Sequence, residues 1–216
     1  SQDTVKRLQD SGHSVMVVRS NEQWLGTLGL ADKPRENVKE ILGKLRDLGI
    51  KPLVMLTGDN KGVGDAIGRE VGVDEVQADL MPEDKVKAIQ TLLSQHTKVA
   101  MIGDGVNDAP ALAHATVGIA MGGAGSAVAL ETADVALMSD DLSKLPFAIG
   151  LSRQARTIIK QNLYLSLSVI GVLIITTTTG FLGIAPAVAI HEGSTLVVIA
   201  NALRLLVFSG QALNKE

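Results

Sequence analysis

Two aspartates, an asparagine and two glycines fall within residues 103–110, Gly-Asp-Gly-Val-Asn-Asp-Ala-Pro. Phosphoryl transfer needs a metal held by carboxylates, a fixed cation, and small donors to the phosphoryl oxygens. Asp104 and Asp108 are four residues apart. If a helix begins near Val106, both can face one Mg²⁺, an ion that takes few protein ligands and keeps several waters. Gly103 and Gly105 let the backbone approach closely, and Asn107 offers an amide donor. Lys85, just after Met81-Pro82-Glu83-Asp84, can supply the point charge. Thr57 and Gly58, in Thr57-Gly58-Asp59-Asn60, add a hydroxyl and a backbone N–H. Singly, each has a plainer reading: Thr-Gly-Asp is an ordinary turn signal, and a lysine at a helix start is usually solvated. Their combination favours chemistry over packing.

A second group is His191 and Glu192, with Gly193, Ser194 and Thr195 behind them, inside an apolar stretch. Ionisable groups at membrane depth are costly and mark ion pathways by default. Imidazole with carboxylate suits divalent first-row metals such as Zn²⁺ or Co²⁺; a soft Cu(I) site would want sulfur. The competing reading places both residues at the outer interface, with the helix starting only at Gly193. His13, His96 and His114 read as solvated, and Thr176, Thr177, Thr178 and Thr179 as hydroxyls satisfied by carbonyls one turn earlier.

The elements that would position these groups follow from periodicity. Residues 15–18 and 24–30 read as strands joined by a polar turn. Residues 34–48 read as a helix, with Val38, Ile41, Leu42, Leu45 and Leu48 at helical spacing, Pro34 in the first turn and Gly49 just past the end. Strands follow at 53–56, near 76, and at 99–102, 117–121 and 135–138, separated by helices at 61–71 and 83–95. This alternation is that of a parallel α/β sheet, in which ligands sit at the carboxyl ends of strands. Both acidic loops emerge there. After Arg153, Arg156 and Lys160, residues 161–190 carry no charged side chain. A crossing needs about 20 apolar residues, so this run predicts one span over about 162–179, a turn at 180–186, and a second span over about 187–208. Arg153, Arg156, Lys160, Arg204 and Lys215 put both flanks on the cytoplasmic side.

The chain has 216 residues, a formal net charge of −3 and no cysteine. Disulfides and thiolate ligands from this chain are excluded, and a near-neutral balance argues against a nucleic-acid partner. No signal peptide is visible. Ser1 opens partway into a helical pattern, as though the chain were cut from something longer.

Leu56-Thr-Gly-Asp-Asn60, Met81-Pro-Glu-Asp-Lys85 and Gly103–110, followed by Ala129-Leu-Glu-Thr-Ala-Asp-Val-Ala-Leu137 and a membrane hairpin, together resemble the phosphorylation domain and following helices of a P-type ATPase. The resemblance covers nearly the whole chain. It implies a haloacid-dehalogenase-like α/β domain with a Rossmann-like parallel sheet (residues 30–152), preceded by the tail of a nucleotide-binding domain (1–29) and followed by a two-helix transmembrane hairpin with a short tail (153–216). It implies Asp104 and Asp108 at Mg²⁺, Thr57, Gly58, Asp59 and Lys85 around the phosphoryl group with Asn107 assisting, and Arg35, in Asp32-Lys-Pro-Arg35, near bound ATP. His191-Glu-Gly-Ser-Thr195 followed by Asn201-Ala-Leu-Arg-Leu-Leu206 is similar to the sixth core helix of the cobalt/zinc type, implying His191, Glu192 and Thr195 as ligands of transported Co²⁺ or Zn²⁺. The resemblance implies a multi-pass protein of a bacterial plasma membrane with its soluble domain in the cytoplasm. The family's nucleophilic aspartate, in Asp-Lys-Thr-Gly-Thr, has no counterpart in these 216 residues. The rest of the pump, with that segment, an actuator domain and earlier helices, is therefore expected as partner. A membrane-anchored phosphatase, or a catalytically inactive module, is the alternative.

Overall fold

The structure is a computed structural model. It describes residues 2–10, 13–21, 23–30, 37–103, 106–122, 131–138 and 141–208. The chain separates into two compact units, Ser1–Leu145 and Pro146–Glu216.

The first unit opens with α1 (Gln2–Asp10) and two strands, β1 (Ser14–Ser20) and β2 (Gln23–Leu30). These two pair with each other as an antiparallel hairpin. Next comes α2 (Val38–Asp47), four residues later than the helical spacing predicts. Asn37 stands before it at φ 65, a left-handed conformation that a continuing helix does not admit. Pro34 lies outside the described residues. The far end of α2 matches expectation: Gly49 has φ 75, its N–H reaches Arg46 O at 2.8 Å, and Ile50 N–H reaches Leu45 O at 3.0 Å. That pair of bonds closes a helix on a left-handed residue, which glycine adopts without a Cβ penalty.

The remaining elements are β3 (Val54–Leu56), α3 (Lys61–Val71), β4 (Glu75–Gln77), α4 (Pro82–Gln95), β5 (Ala100–Gly103), α5 (Ala109–His114), β6 (Val117–Met121) and β7 (Val135–Leu137). The expected single parallel sheet is divided. β3 pairs in parallel with β4, while β5, β6 and β7 form a separate parallel ladder in that order. β3 and β5 thus each keep one edge without a ladder among the described residues. Both nevertheless border one core. Ile89 and Leu92 of α4 pack with Met101, Ala111, Leu112 and Ala120, and Val54 and Leu56 of β3 lean on that cluster. Burial of these side chains is the main stabilising term, about 1.5–3 kcal/mol for each large one.

Arg46, at the end of α2, is tied to the start of β3 through Asp74. Its guanidinium donates to Asp74 Oδ1 at 2.9 Å and to the Gly72 carbonyl, while Leu53 N–H donates to Asp74 Oδ2 at 2.7 Å. The Leu53 N–H, and then the Arg46 guanidinium, hold the Asp74 carboxyl below its ordinary 3.8. A depressed carboxyl stabilises the fold fully above its unfolded value and loses that contribution as pH falls through the folded one. Urea melts should therefore show Asp74→Asn less stable than the parent sequence at pH 6, with the gap closing below about pH 3.8.

The second unit is a helical hairpin. α6 (Lys144–Thr178) runs unbroken for 35 residues, and α7 (Ile184–Leu203) for 20, ending in a 3-10 turn at Arg204–Val207. Lys144–Thr178 and Ile184–Val207 are long and apolar enough to cross a membrane, with mean hydropathies of 1.8 and 1.3 over an 18-residue stretch of each. The connection is shorter than expected. It turns at Gly180, φ 74, and α7 already starts at Ile184, so Pro186 lies in its first turn, where a missing N–H costs no helical bond. The threonine hydroxyls bond back as expected: Thr177 to Leu173 O at 2.6 Å, Thr178 to Ile174 O at 2.6 Å and Thr179 to Ile175 O at 2.8 Å.

Candidate functional site

β5 ends at Gly103, and the chain resumes description in a 3-10 turn at Val106–Asp108 that leads into α5. This is the strand-to-helix turn the sequence predicts. Asp104 and Gly105 lie outside the described residues, as does Arg35. Asp108 is the one described charged residue that is buried, 8% exposed. Lys85, in the first turn of α4, reaches it: Nζ lies 2.7 Å from Asp108 Oδ1, with side-chain exposures of 16% and 12%. A pair this shielded from water interacts more strongly than a surface pair. Asp108 Oδ2 has no protein donor among the described residues. A carboxylate with one oxygen held by a lysine and the other open suits a hard, oxygen-seeking cation.

Gly103 is required by this geometry. A Cβ there would lie 2.6 Å from Asp108 Cβ and 3.1 Å from its Oδ2. Gly103→Ala should push the Asp108 carboxylate out of place and cost about 1–3 kcal/mol through overpacking; a thermal melt would register the loss, and an unchanged melting temperature would refute the tight fit.

The loop after β3 is held by several bonds. Asn60 caps α3, its side chain accepting from Val63 N–H at 3.1 Å. Leu80 N–H bonds Thr57 O at 3.1 Å and Asp79 N–H bonds Asp59 O at 2.8 Å, which brings the chain entering α4 against this loop. Asp79 is a residue that sequence reasoning missed. Its φ of 56 and its bond from Lys61 N–H, at 3.2 Å, make it a second clamp on the loop. An isolated aspartate before a helix carries no signal for that role. The Thr57 hydroxyl donates to Asp59 Oδ2 at 2.8 Å, and Asp59 N–H donates back to Thr57 Oγ1 at 3.1 Å. The Thr57 proton is thus committed to Asp59, while the Gly58 N–H has no acceptor among the described residues. Asn107 is exposed, and its side chain makes no hydrogen bond among them.

Ahead of Lys85, the Asp84 carboxylate accepts from Met81 N–H at 3.3 Å and from Lys87 Nζ at 2.9 Å. These two donors, Lys87 first, hold its carboxyl below the ordinary range. The start of α4 is fixed, and Lys85 with it.

His191, Glu192 and Thr195 belong to the other unit. All three lie inside α7, which begins seven residues before His191 and not at Gly193. Ser194 and Thr195 both donate to His191 O, at 2.7 and 3.4 Å. Among the described residues, no three of His, Cys, Asp and Glu come together as a metal-holding group.

The family model of the haloacid dehalogenase-like hydrolases matches residues 1–116. A probable cadmium-transporting ATPase of Staphylococcus aureus (strain MRSA252) is 48% identical over 205 residues, 95% of this chain and 28% of that protein. A zinc-transporting ATPase of Bacillus subtilis (strain 168) is 46% identical over 203 residues, 94% of this chain and 32% of that protein. The crystal structure of a zinc-transporting PIB-type ATPase in its E2.Pi state superposes with a TM-score of 0.82 at 44% identity, covering 95% of this chain and 33% of that one. The chain thus spans about a third, or less, of the length of these relatives. With the family model matched over more than half its residues and metal-transporting P-type ATPases as its relatives, the chain belongs to the haloacid dehalogenase-like hydrolases.

Proposed function

We infer that this chain is part of an ATP-driven divalent transition-metal pump, contributing part of its phosphorylation domain and its last two core membrane helices. The observation that carries this reading is the Lys85–Asp108 pair, largely shielded from water behind the end of β5, on the same chain as two apolar helices, one with His191 and Glu192 in its interior.

In this reading Asp108, with Asp104, holds Mg²⁺, which supplies charge neutralisation at the phosphoryl oxygens when bound. Lys85 orients the Asp108 carboxylate and presents a fixed positive charge. The Gly58 N–H, lacking an acceptor, donates to a phosphoryl oxygen. The Thr57 hydroxyl joins it once its proton is released from Asp59. Asn107 is exposed and available as a further donor, and Arg35 serves the nucleotide side. The nucleophilic aspartate comes from elsewhere in the parent protein. The edges that β3 and β5 leave without a ladder support an added strand between them as its carrier.

His191, Glu192 and Thr195 supply part of the transport site. Its donors suit Zn²⁺ or Co²⁺, and cadmium and zinc are the metals in the relatives' names. At about 1.5 Å per residue, α6 is about 52 Å long, well beyond a hydrocarbon core of about 30 Å. The surplus at its start bears Arg153, Arg156 and Lys160, and the positive-inside bias supports a cytoplasmic side for the first unit.

The test is ATP hydrolysis by the purified full-length parent, with Zn²⁺, Cd²⁺ and Co²⁺ added in turn. Stimulation by at least one is expected. Hydrolysis indifferent to all three would refute transport and favour a membrane-anchored phosphatase.

A further inference from the structure

Between α6 and α7 the described hydrogen bonds all fall at one level. Asn201 Nδ2 donates to Asn162 Oδ1 at 2.8 Å and to Gln161 Oε1 at 3.3 Å, and Asn162 Nδ2 donates to the Val198 carbonyl at 3.4 Å. The Asn201 side-chain oxygen is used as well, Oδ1 accepting from Arg204 Nη1 at 2.9 Å. Both amides are half-buried. At the same end of the hairpin, Phe147 and Phe208 meet ring to ring, centroids 5.6 Å apart. No residue of α7 is buried within the chain. Packing between the two helices is therefore slight, and the polar contacts carry their alignment.

In lipid, helices gain no hydrophobic energy by meeting, so interhelical hydrogen bonds and close packing set which faces touch. The amide pair is specific in this respect. Sliding α7 by one residue along its axis turns its side chains by about 100° and moves them about 1.5 Å, which breaks the Asn201 and Val198 contacts together. The same stripe of α7 carries the ionisable residue: His191, Ser194, Val198 and Asn201 follow at spacings of three and four, so they share one face. What pins Asn201 against α6 also fixes the face on which His191 is presented.

We propose that the Asn162–Asn201 amide pair, capped by Arg204, is a register pin that makes α6 and α7 move as one body, so that displacement of α6 carries His191 and its neighbours without sliding. Asn162 and Asn201 are positioning residues, acting through the alignment of the two helices. The pin rests on the pump reading above.

The experiment uses the full-length parent in proteoliposomes, assayed for Zn²⁺-stimulated ATP hydrolysis, with any native cysteines that react with thiol reagents replaced. The Asn162→Cys/Asn201→Cys double variant should lose at least tenfold in stimulated rate. Bridging the two introduced thiols with a short bifunctional methanethiosulfonate should restore the rate to within about twofold of the unaltered parent, because the covalent link replaces the pin; reduction should abolish the rescue. Asn162→Asp, which keeps the acceptor for Asn201, should retain more activity than Asn201→Asp, which removes the donor. Inactivation by the bridge would mean that the helices slide past one another in the cycle, and a fully active unbridged variant would mean that no pin is needed; either overturns the proposal while the pump reading stands. An unaltered parent without Zn²⁺, Cd²⁺ or Co²⁺ stimulation would overturn both.

Discussion

Replacing Asp108 by alanine is expected to abolish Mg²⁺-dependent ATP hydrolysis by the parent protein and to destabilise the soluble unit by about 3 kcal/mol. The second effect follows from burial. Lys85 Nζ sits 2.7 Å from Asp108 Oδ1 with only 16% of its side chain exposed, and removing one partner of a shielded pair leaves the other charge uncompensated. The first follows from the role proposed for the carboxylate, since losing one interaction made to a metal and phosphoryl group costs on the order of 10²–10³ in rate. A double-mutant cycle separates the two. Lys85→Met with Asp108→Ala should recover much of the stability lost by Asp108→Ala alone, because no unpaired charge remains, yet it should recover none of the activity. Recovery of activity would show that Asp108 only balances Lys85.

His191→Ala and Glu192→Ala should each lower metal-stimulated hydrolysis at least tenfold, a loss of about 1.4 kcal/mol or more in the stimulated step. Phosphorylation of the parent from inorganic phosphate should be unchanged in both variants, since the residues lie in the helical unit and the proposed phosphoryl site in the other. The argument rests on their position in α7. A helix beginning at Ile184 sets them two turns from its start; in the proposed pump that helix spans the bilayer, near whose centre an unattended carboxylate costs about 2.5 kcal/mol or more. A residue kept at that cost without a transport role should be replaceable by alanine with a gain in stability and full activity. That pair of results would sink the ligand assignment.

Much of the fold was legible from local pattern. The Val38-to-Leu48 spacing, the glycine past its end and the strand-to-helix turn after Ile102 each depend on neighbours within a few residues, and each was found close to its expected place. The start of α2 was not, because Asn37 adopts a left-handed conformation that helical periodicity does not register. The turn of the hairpin was drawn too long for a related reason: Pro186 reads as a breaker, but in a first turn it breaks nothing. The division of the sheet into two ladders could not be read at all, since strand neighbours are set by packing between segments far apart in the chain.

By itself the sequence determined the residue types of the site, the elements that bear them and the uncharged run after Lys160, since each is written in adjacent residues or in a short period. The tertiary structure alone decided which of those residues meet. Lys85 finds Asp108 across 23 positions and Asn201 finds Asn162 across 39; Gly103 proves to be a glycine because Asp108 folds back over it. Such pairings arise when separate helices and strands pack together, and no periodicity within either segment encodes them.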